Sequence, residues 1–563
     1  MRSVPVFVTL LVVYGLGCAR TLQGGDASEF MTLAAVGGVA HPPGYPLFTY
    51  WVQAVVALVP GAQVPWQASF ASAMCAAAAV SVLHAALRTL TRHEGVALVG
   101  AGVLAVHPVF WRYATVAEVF SMAALTAAGL VYVAARVESG WRGWRPQLAL
   151  GLVVASGIAN HHTVVLLAPL AVWTFWTALE RPARDVAVCA AAQLVGFLFY
   201  VPLMFMKSGL RWGDTSTLDG LVHHLLRRDY GTFDLAVAEH EVGIWEHPVA
   251  FLMELGPSFG WVFAGLAIYA MVRSVKDRGL ALALSASWLL AGPLFLAKFN
   301  LPADYGNMVV ARRFTIVPAV LFAGLAALAL PRDHKAWWLA PVVLLMGAMN
   351  ASDASHAKWT VLEDYLRNSL QVAEPNAVLV VASDNTLFGS AYLQRVEGLR
   401  PDVTVLAPTM LSYDWYRAGL TAPYDTVRTV DEALVATDRP TYVAYVYYQG
   451  SNAAGRPLAL PEPVTMLRVW PSDRPLPHPA ELEQAMDANM ASFTFRSGIE
   501  TRYQWYDTWE SWAVRQYIRG FDTLAQGYER VGDPDSADRV RAEARGLSPY
   551  AELLATPRSL RAP

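Results

Sequence analysis

Charge is what this chain has least of. Asp, Glu, Lys and Arg make up 15% of its 563 residues, against roughly 25% in a soluble domain. Hydrophobic residues make up 55%, and the mean hydropathy is +0.34. So little charge cannot clothe a water-facing surface of this size, and the chain is read as a polytopic membrane protein. Cysteine is scarce too. Cys18, Cys75 and Cys189 sit singly in apolar helical runs, with neither paired nor metal-type spacing. That excludes a disulfide framework and a zinc site and leaves them as small packing residues. The net charge is −3, with no basic stripe or arginine-rich tail, which excludes a broad nucleic-acid surface. A glycine-rich phosphate loop is also missing: none follows "SDNT" at 383–386, so that stretch reads as the end of a core strand rather than a nucleotide site.

Long hydrophobic runs are abundant. The first, "MRSVPVFVTLLVVYGLGCA", has the form of a secretory leader with Arg2 ahead of it and Cys18 where a lipid could attach. Gly15 stands where a lipobox wants an aliphatic residue, and so many runs follow that an uncleaved first span is the simpler reading. Further spans read at roughly 66–87, 95–107, 117–135, 147–159, 163–180, 186–205, 257–273, 279–297, 314–330 and 336–350. Residues 45–60 are apolar but short for a hydrocarbon core about 30 Å thick. Charge decides their case. If they do not cross, then Arg88 and Arg92, Arg136 with Arg142 and Arg145, Arg181 and Arg184, Arg273 with Lys276 and Arg278, and Arg332 with Lys335 all face the cytoplasm together with Arg2. About eleven spans result, with 24–60 an external loop whose helices lie along the interface.

That layout gathers the remaining ionisable groups on the external side. They are Asp26, Glu29 and His41 in the first loop, His107, Arg112 and Glu118 in "HPVFWRYATVAEVF", "NHH" at 160–162, a long loop at 206–256, and "NLPADYGNMVVARRF" at 300–314. Each residue has a plain structural explanation: Asp26 and Glu29 fit a D-x-x-E capping box, and interfacial histidine and arginine often snorkel. Five separate external segments converging on one face point to a site.

The passages "GDASEF", "GVAHPPGYPL", "HPVFWRYATVAEVFSMAAL", "GIANHHT" and "RWGDTSTLDGLVHHLLRRDYG" occur in one order over about residues 20–315. In them the chain resembles the bacterial membrane family called domain of unknown function 2723, whose animal relatives are protein O-mannosyltransferases. "VASDNTLFGSAYLQRVEGLRPDVTVL" resembles the segment that follows the spans in many members. The resemblance implies a GT-C glycosyltransferase, a multi-span enzyme that takes a sugar from a polyprenyl-phosphate carrier with its acid in the first external loop.

The chemistry asks for the same parts. Inverting transfer of a sugar from a lipid phosphate to a hydroxyl needs a carboxylate to take the acceptor's proton and positive charge for the departing phosphate. Asp26, after two glycines that allow close backbone approach, is the expected catalytic base. Glu29, one helical turn on, would orient the acceptor or raise the aspartate's pKa. Arg211 in "RWGD", Arg227 or Arg228, and Arg312 or Arg313 are the phosphate-side group, since guanidinium binds phosphate oxygens two at a time. Arg112, Glu118, His41, Tyr45, His161, His162 and Asp214 complete the substrate-binding set. Asp26, Glu29 and a histidine also have the donors for a divalent cation, although the arginines supply the phosphate's counter-charge without one.

The expected architecture is a polytopic α-helical GT-C-like domain at 1–350, with external loops 20–60 and 206–256. An external α/β domain at 351–475 and a helical segment at 476–563 follow. In the α/β domain "NAVLVVAS", "DVTVLA", "TYVAYVYYQ" and "VTMLRVWP" read as strands. Residues 517–549 resemble one tetratricopeptide-type helix pair, too few to form an array. The functional expectation is a glycosyltransferase in the bacterial inner membrane with its site and C-terminal domain outside. Its partners would be a lipid-linked sugar donor, a protein or glycan acceptor and the bilayer, not nucleic acid. The competing readings are a lipid-linked sugar transporter, which would carry its charges near the bilayer midplane, and a non-catalytic envelope scaffold, for which eleven spans are excessive.

Overall fold

Hydrophobic runs interrupted by proline and glycine become helices of uneven length in the computed structural model, which describes residues 3–206, 209–232, 242–299, 301–303, 305–447, 458–470, 474–497 and 508–547. The middle of the 206–256 loop, the end of "TYVAYVYYQ" and the last residues of the expected helix pair lie outside these. Two compact units emerge: residues 1–20 with 33–357, and residues 21–32 with 358–563.

The first unit is helical. Its longest helix, Val64–Thr91, has 28 residues and so a length of about 42 Å, more than a hydrocarbon core needs. Pro65 in its first turn needs no hydrogen-bond partner for its nitrogen, and Arg92 in the left-handed region ends it. Its buried face is lined by Ala68, Ala71, Ala76 and Ala79, small enough for the helix Phe120–Glu138 to pack along it. By length and composition three described helices can cross a membrane: Val64–Thr91, Phe120–Glu138 and Pro182–Phe205. Two bent pairs, Glu94–Ala105 with Pro108–Ala114 (71°) and Asn307–Arg313 with Ile316–Leu328 (51°), bring the number to 5. Shorter apolar helices include Val4–Gly17, Pro46–Leu58, His162–Ala178 and Leu280–Leu294. Leu194, Phe197, Leu198 and Phe205 point outward from Pro182–Phe205, an apolar surface suited to lipid. The fold is that of an integral membrane protein.

Helices Trp144–Asn160 and Pro182–Leu198 cross at two glycines. A Cβ on Gly196 would lie 2.6 Å from the Ala155 carbonyl oxygen, and one on Gly151 would lie 2.6 Å from the Cys189 carbonyl oxygen. The contact at Gly196 is backbone, which cannot turn aside. Gly196→Val should therefore cost about 1–3 kcal/mol of stability through overpacking, read as a lowered melting temperature in detergent. An unchanged melting temperature would mean that the two helices part without penalty.

The second unit holds a five-stranded sheet. With β1 (Gly38–Val39) and β2 (Leu210–Arg211) forming a short parallel pair in the first unit, its strands are β3 (Val378–Val380), β4 (Thr404–Leu406), β5 (Thr441–Val443), β6 (Leu458–Leu460) and β7 (Leu467–Trp470). Their order is β4-β3-β5-β7-β6. β3 runs parallel to β4 and β5, and β7 runs antiparallel to β5 and β6. The four runs read as strands each carry one, while β6 is three apolar residues between Pro457 and Pro461, too short a run for periodicity to mark. Val378, Val380, Leu406, Val443 and Leu467 form the core with Leu411 and Tyr424. "SDNT" is the cap of the helix Asp384–Arg395: the Ser383 side chain accepts from the Thr386 N–H. Trp509–Arg530 and Pro534–Leu547 form an antiparallel helix pair in the C-terminal segment.

Candidate functional site

The first unit brings several of the expected residues together where its short β pair forms. Gly38 lies opposite Leu210 and Val39 opposite Arg211, which draws the 209–232 segment against the 37–45 loop. Only glycine allows this approach. A Cβ on Gly38, whose φ is +125, would sit 1.8 Å from the Leu210 carbonyl oxygen, and one on Gly209 would sit 2.2 Å from that of Gly37. His41 then meets Tyr45, whose hydroxyl is 3.2 Å from His41 Nε2, and the edge of Trp212, with ring centroids 6.0 Å apart. Tyr45 stacks on His161 at 5.6 Å. The His161 ring also touches Phe120 at 5.3 Å and Phe314 at 5.9 Å, so an aromatic floor underlies the polar groups.

Cations surround this floor. The Arg313 guanidinium lies over Phe120 and Phe314, 5.5 and 5.7 Å from their centroids, and 3.9 Å from the buried carboxylate of Glu118. His162 Nε2 is 3.3 Å from the Tyr200 hydroxyl, which donates to the Ile158 carbonyl. Arg227 rests on Tyr230 at 5.3 Å, held there by a left-handed backbone. Its buried Nε has no hydrogen-bond partner, and among the described residues it has no carboxylate partner. The other expected residues fall elsewhere. Arg228, next to Arg227, is exposed. Arg312 binds Glu254 through Nε and Nη2 at 2.9 and 2.6 Å. Arg211 pairs with Asp214 at 3.1 Å near the surface, and the Ser216 hydroxyl and amide, followed by Arg211, hold the Asp214 carboxyl below its ordinary pKa. Arg112 lies beside His356, whose Nδ1 is 2.7 Å from the Thr115 hydroxyl.

The electrostatics follow from this crowding. Burial pushes His161 well below its ordinary pKa, and the neighbouring His162, Arg227, Arg313 and His41 push it further. His162 falls to about 4 through burial and Arg227. His224 falls to about 3, mainly through burial and His41. The pocket keeps three imidazoles neutral beside two guanidinium groups, one of which has the Glu118 carboxylate 3.9 Å away. The stability consequence has a definite sign. An unfolded histidine protonates near 6.5, above these folded values, so the unfolded chain takes up protons first as the pH falls. Stability should be full above pH 6.5 and decline toward pH 4. Melting in nanodiscs from pH 7.5 to 5 should show the loss, inorganic phosphate should reduce it, and a flat profile would refute it.

Asp26 and Glu29 belong to the second unit. Asp26 is buried just before the helix Ala27–Val36 and accepts from the Phe30 N–H through its carbonyl, and Glu29 is fully buried. The residues ahead of Asp26 are gripped on several sides. The Leu22 N–H donates to Glu363 Oε2 at 2.9 Å, and the Gly25 N–H donates to Asn385 Oδ1 at 2.8 Å. The Thr21 hydroxyl donates to the Trp359 carbonyl. Among the described residues no group of three His, Cys, Asp or Glu side chains stands together as a metal site.

Trp212, Tyr200, Phe314 and Asn385 were not singled out in the sequence. Trp212 sits inside "RWGD" beside two residues that were, so the motif itself was the missed signal. Tyr200 lies within the apolar run 186–205 and Phe314 opens the run 314–330, and neither carries such a signal.

Comparison with known proteins gives two family matches. The protein O-mannosyl-transferase TMEM260 N-terminal domain matches residues 26–183, and the TMEM260-associated domain 2 matches residues 362–451. The chain is 28% identical over 448 residues to protein O-mannosyl-transferase TMEM260 of Mus musculus, an alignment covering 74% of this chain and 63% of that protein. It is 25% identical over 476 residues to the Dictyostelium discoideum protein of the same name, covering 74% and 58%. It thus spans about three fifths of the length of the curated relatives it matches. Among solved structures, ArnT from Cupriavidus metallidurans in the apo state matches with a TM-score of 0.50 at 12% identity, covering 81% of this chain and 95% of that one. The resemblance to protein O-mannosyltransferases carried by the motifs is found again in these matches, and the fold is similar to that of ArnT.

Proposed function

We propose that this chain is a membrane glycosyltransferase of the protein O-mannosyltransferase kind, which moves a sugar from a polyprenyl-phosphate donor to an acceptor hydroxyl with inversion. The observation that carries the proposal is the pocket that sets the Arg227 and Arg313 guanidinium groups beside the neutral imidazoles of His161 and His162 over an aromatic floor. Guanidinium forks match phosphate oxygens, and the aromatic faces below them suit an apolar chain attached to that phosphate.

In the proposed reaction the acceptor hydroxyl attacks the anomeric carbon, its proton passes to the Asp26 carboxylate, and the bond from that carbon to the phosphate oxygen breaks. The polyprenyl phosphate leaves with its charge met by Arg227 and Arg313. Glu29 orients the acceptor. His161 and His162, neutral without ligand, become donors to the phosphate as its negative charge raises their proton affinity. On the arginine distribution, about eleven crossings, shorter apolar helices included, leave residues 24–60 and everything beyond about 350 on the non-cytoplasmic side of a bacterial inner membrane.

The test is transfer from a short-chain polyprenyl-phosphate mannose to a threonine-containing peptide by the full-length protein in nanodiscs. Mass spectrometry should find one added hexose, and NMR should find the anomer opposite to the donor's. If folded protein gives no product from any polyprenyl-phosphate hexose, the proposal fails. A retained anomer would refute the single-step route alone.

A further inference from the structure

Residues 21–25, just ahead of Asp26, are bound at several points within the second unit. Glu363 is in the first turn of the helix Val361–Val372, and it accepts from the Leu22 N–H while Arg367 and Arg496 fix its other oxygen at 2.8 and 2.9 Å. Asn385 is in the first turn of Asp384–Arg395, is 2% exposed, and accepts from the Gly25 N–H. Trp509 begins the helix Trp509–Arg530, and its side chain lies so close to Gly24 that a Cβ there would be 2.2 Å from Trp509 Cγ. Gly25 itself holds φ +69, a conformation that favours glycine. Sequence neighbours cannot build this arrangement. Three helix starts far along the chain take hold of five consecutive residues, and the first residue past that hold is the carboxylate.

We infer that Asn385, supported by Glu363 and Trp509, is a positioning residue that sets where the Asp26 carboxylate stands, so that the C-terminal domain is part of the transfer machinery and not only a surface for the acceptor. The inference rests on reading Asp26 as the base. A buried amide with a single acceptor cannot shift without losing its hydrogen bond, and a displaced general base loses rate steeply even when substrate binding is untouched.

The experiment uses full-length protein in nanodiscs with polyprenyl-phosphate mannose and a threonine-containing peptide. Asn385→Leu removes the acceptor oxygen at similar size. It should lower kcat by roughly 10- to 100-fold, with the donor KM within about 2-fold of wild type. In an Asp26→Asn background the same change should add nothing, since the residue acts through Asp26. Asn385→Asp keeps the acceptor oxygen and should recover most of kcat at high pH. Its added carboxylate disfavours an ionised neighbour, so the acid limb of the pH profile should move upward. Unchanged kcat in Asn385→Leu, or an equal loss in both backgrounds, overturns the inference. If Asn385→Leu does not fold, the acid limb of Asn385→Asp decides, and an unmoved limb overturns it. A fully active Asp26→Asn protein removes the base, and the inference falls with that reading. An inactive Asp26→Asn protein beside a fully active Asn385→Leu protein sinks the inference alone.

Discussion

Asp26→Asn is expected to slow sugar transfer by on the order of 10²–10⁴-fold, the range for losing a general base, while leaving the protein folded. Asparagine has the shape of aspartate and caps helices about as well, and the Asp26 contact to the Phe30 N–H is made by the main chain, which the substitution leaves in place. A residue present only to start the helix Ala27–Val36 makes the opposite forecast, with activity intact. Burial sharpens the contrast: Asp26 is 8% exposed, so swapping a carboxylate for an amide there changes basicity far more than surface. Glu29→Gln should be milder, roughly 10-fold or less, if Glu29 orients the acceptor without taking its proton. Folding is checked by melting temperature in the same nanodiscs. A folded Asp26→Asn protein with full turnover would end the assignment, and attention would pass to Glu118, the buried carboxylate beside Arg313.

What could be read ahead of the structure was whatever depends on residues close in sequence. Strand runs such as "NAVLVVAS" and "VTMLRVWP" declared themselves because hydrophobic patterning is local. The short helix at Pro46–Leu58 was legible because 13 residues reach only about 20 Å. The polar motifs were legible as a set because charges in apolar sequence are costly. What depends on distant pairing was not. No local pattern tells that the Gly25 amide will find Asn385 across a separation of 360 residues, or Leu22 find Glu363 across 341. Neighbouring arginines were equally opaque. Whether Arg227 or Arg228 meets the histidines is decided by the left-handed backbone at Arg227, and whether Arg312 or Arg313 does is decided by Glu254, which takes the first of them. The glycines that permit the β1 and β2 pair stand in the quoted motifs, but their need shows only when the partner backbone is present.

Arg313 and Arg227 therefore carry the second large expectation. Arg313→Met removes a guanidinium held above Phe120 and Phe314, and the methionine still packs on those rings. Loss of one preorganised partner for a leaving phosphate should cost roughly 10²–10³ in kcat, with Arg313→Lys intermediate because it keeps the charge and loses the planar fork. Arg227→Met should behave alike. Arg211→Lys is expected to be nearly silent, since Arg211 is half exposed and already paired with Asp214, and exposed pairs are worth ~1 kcal/mol or less. A second reading of the same variants separates a phosphate site from a merely structural one. Burial does most to keep His161 neutral, and Arg227 and Arg313 add to it, so removing either should let that imidazole protonate more easily, and the loss of stability between pH 6.5 and 4 should shrink. A phosphate-mimicking anion should tighten on wild-type protein as the pH falls, because binding and proton uptake favour one another, and this pH dependence should weaken when either arginine is gone. Variants that keep full turnover, together with an unaltered melting profile and an unaltered pH dependence of anion binding, would move the donor's phosphate away from this pocket and leave the aromatic floor without its proposed use.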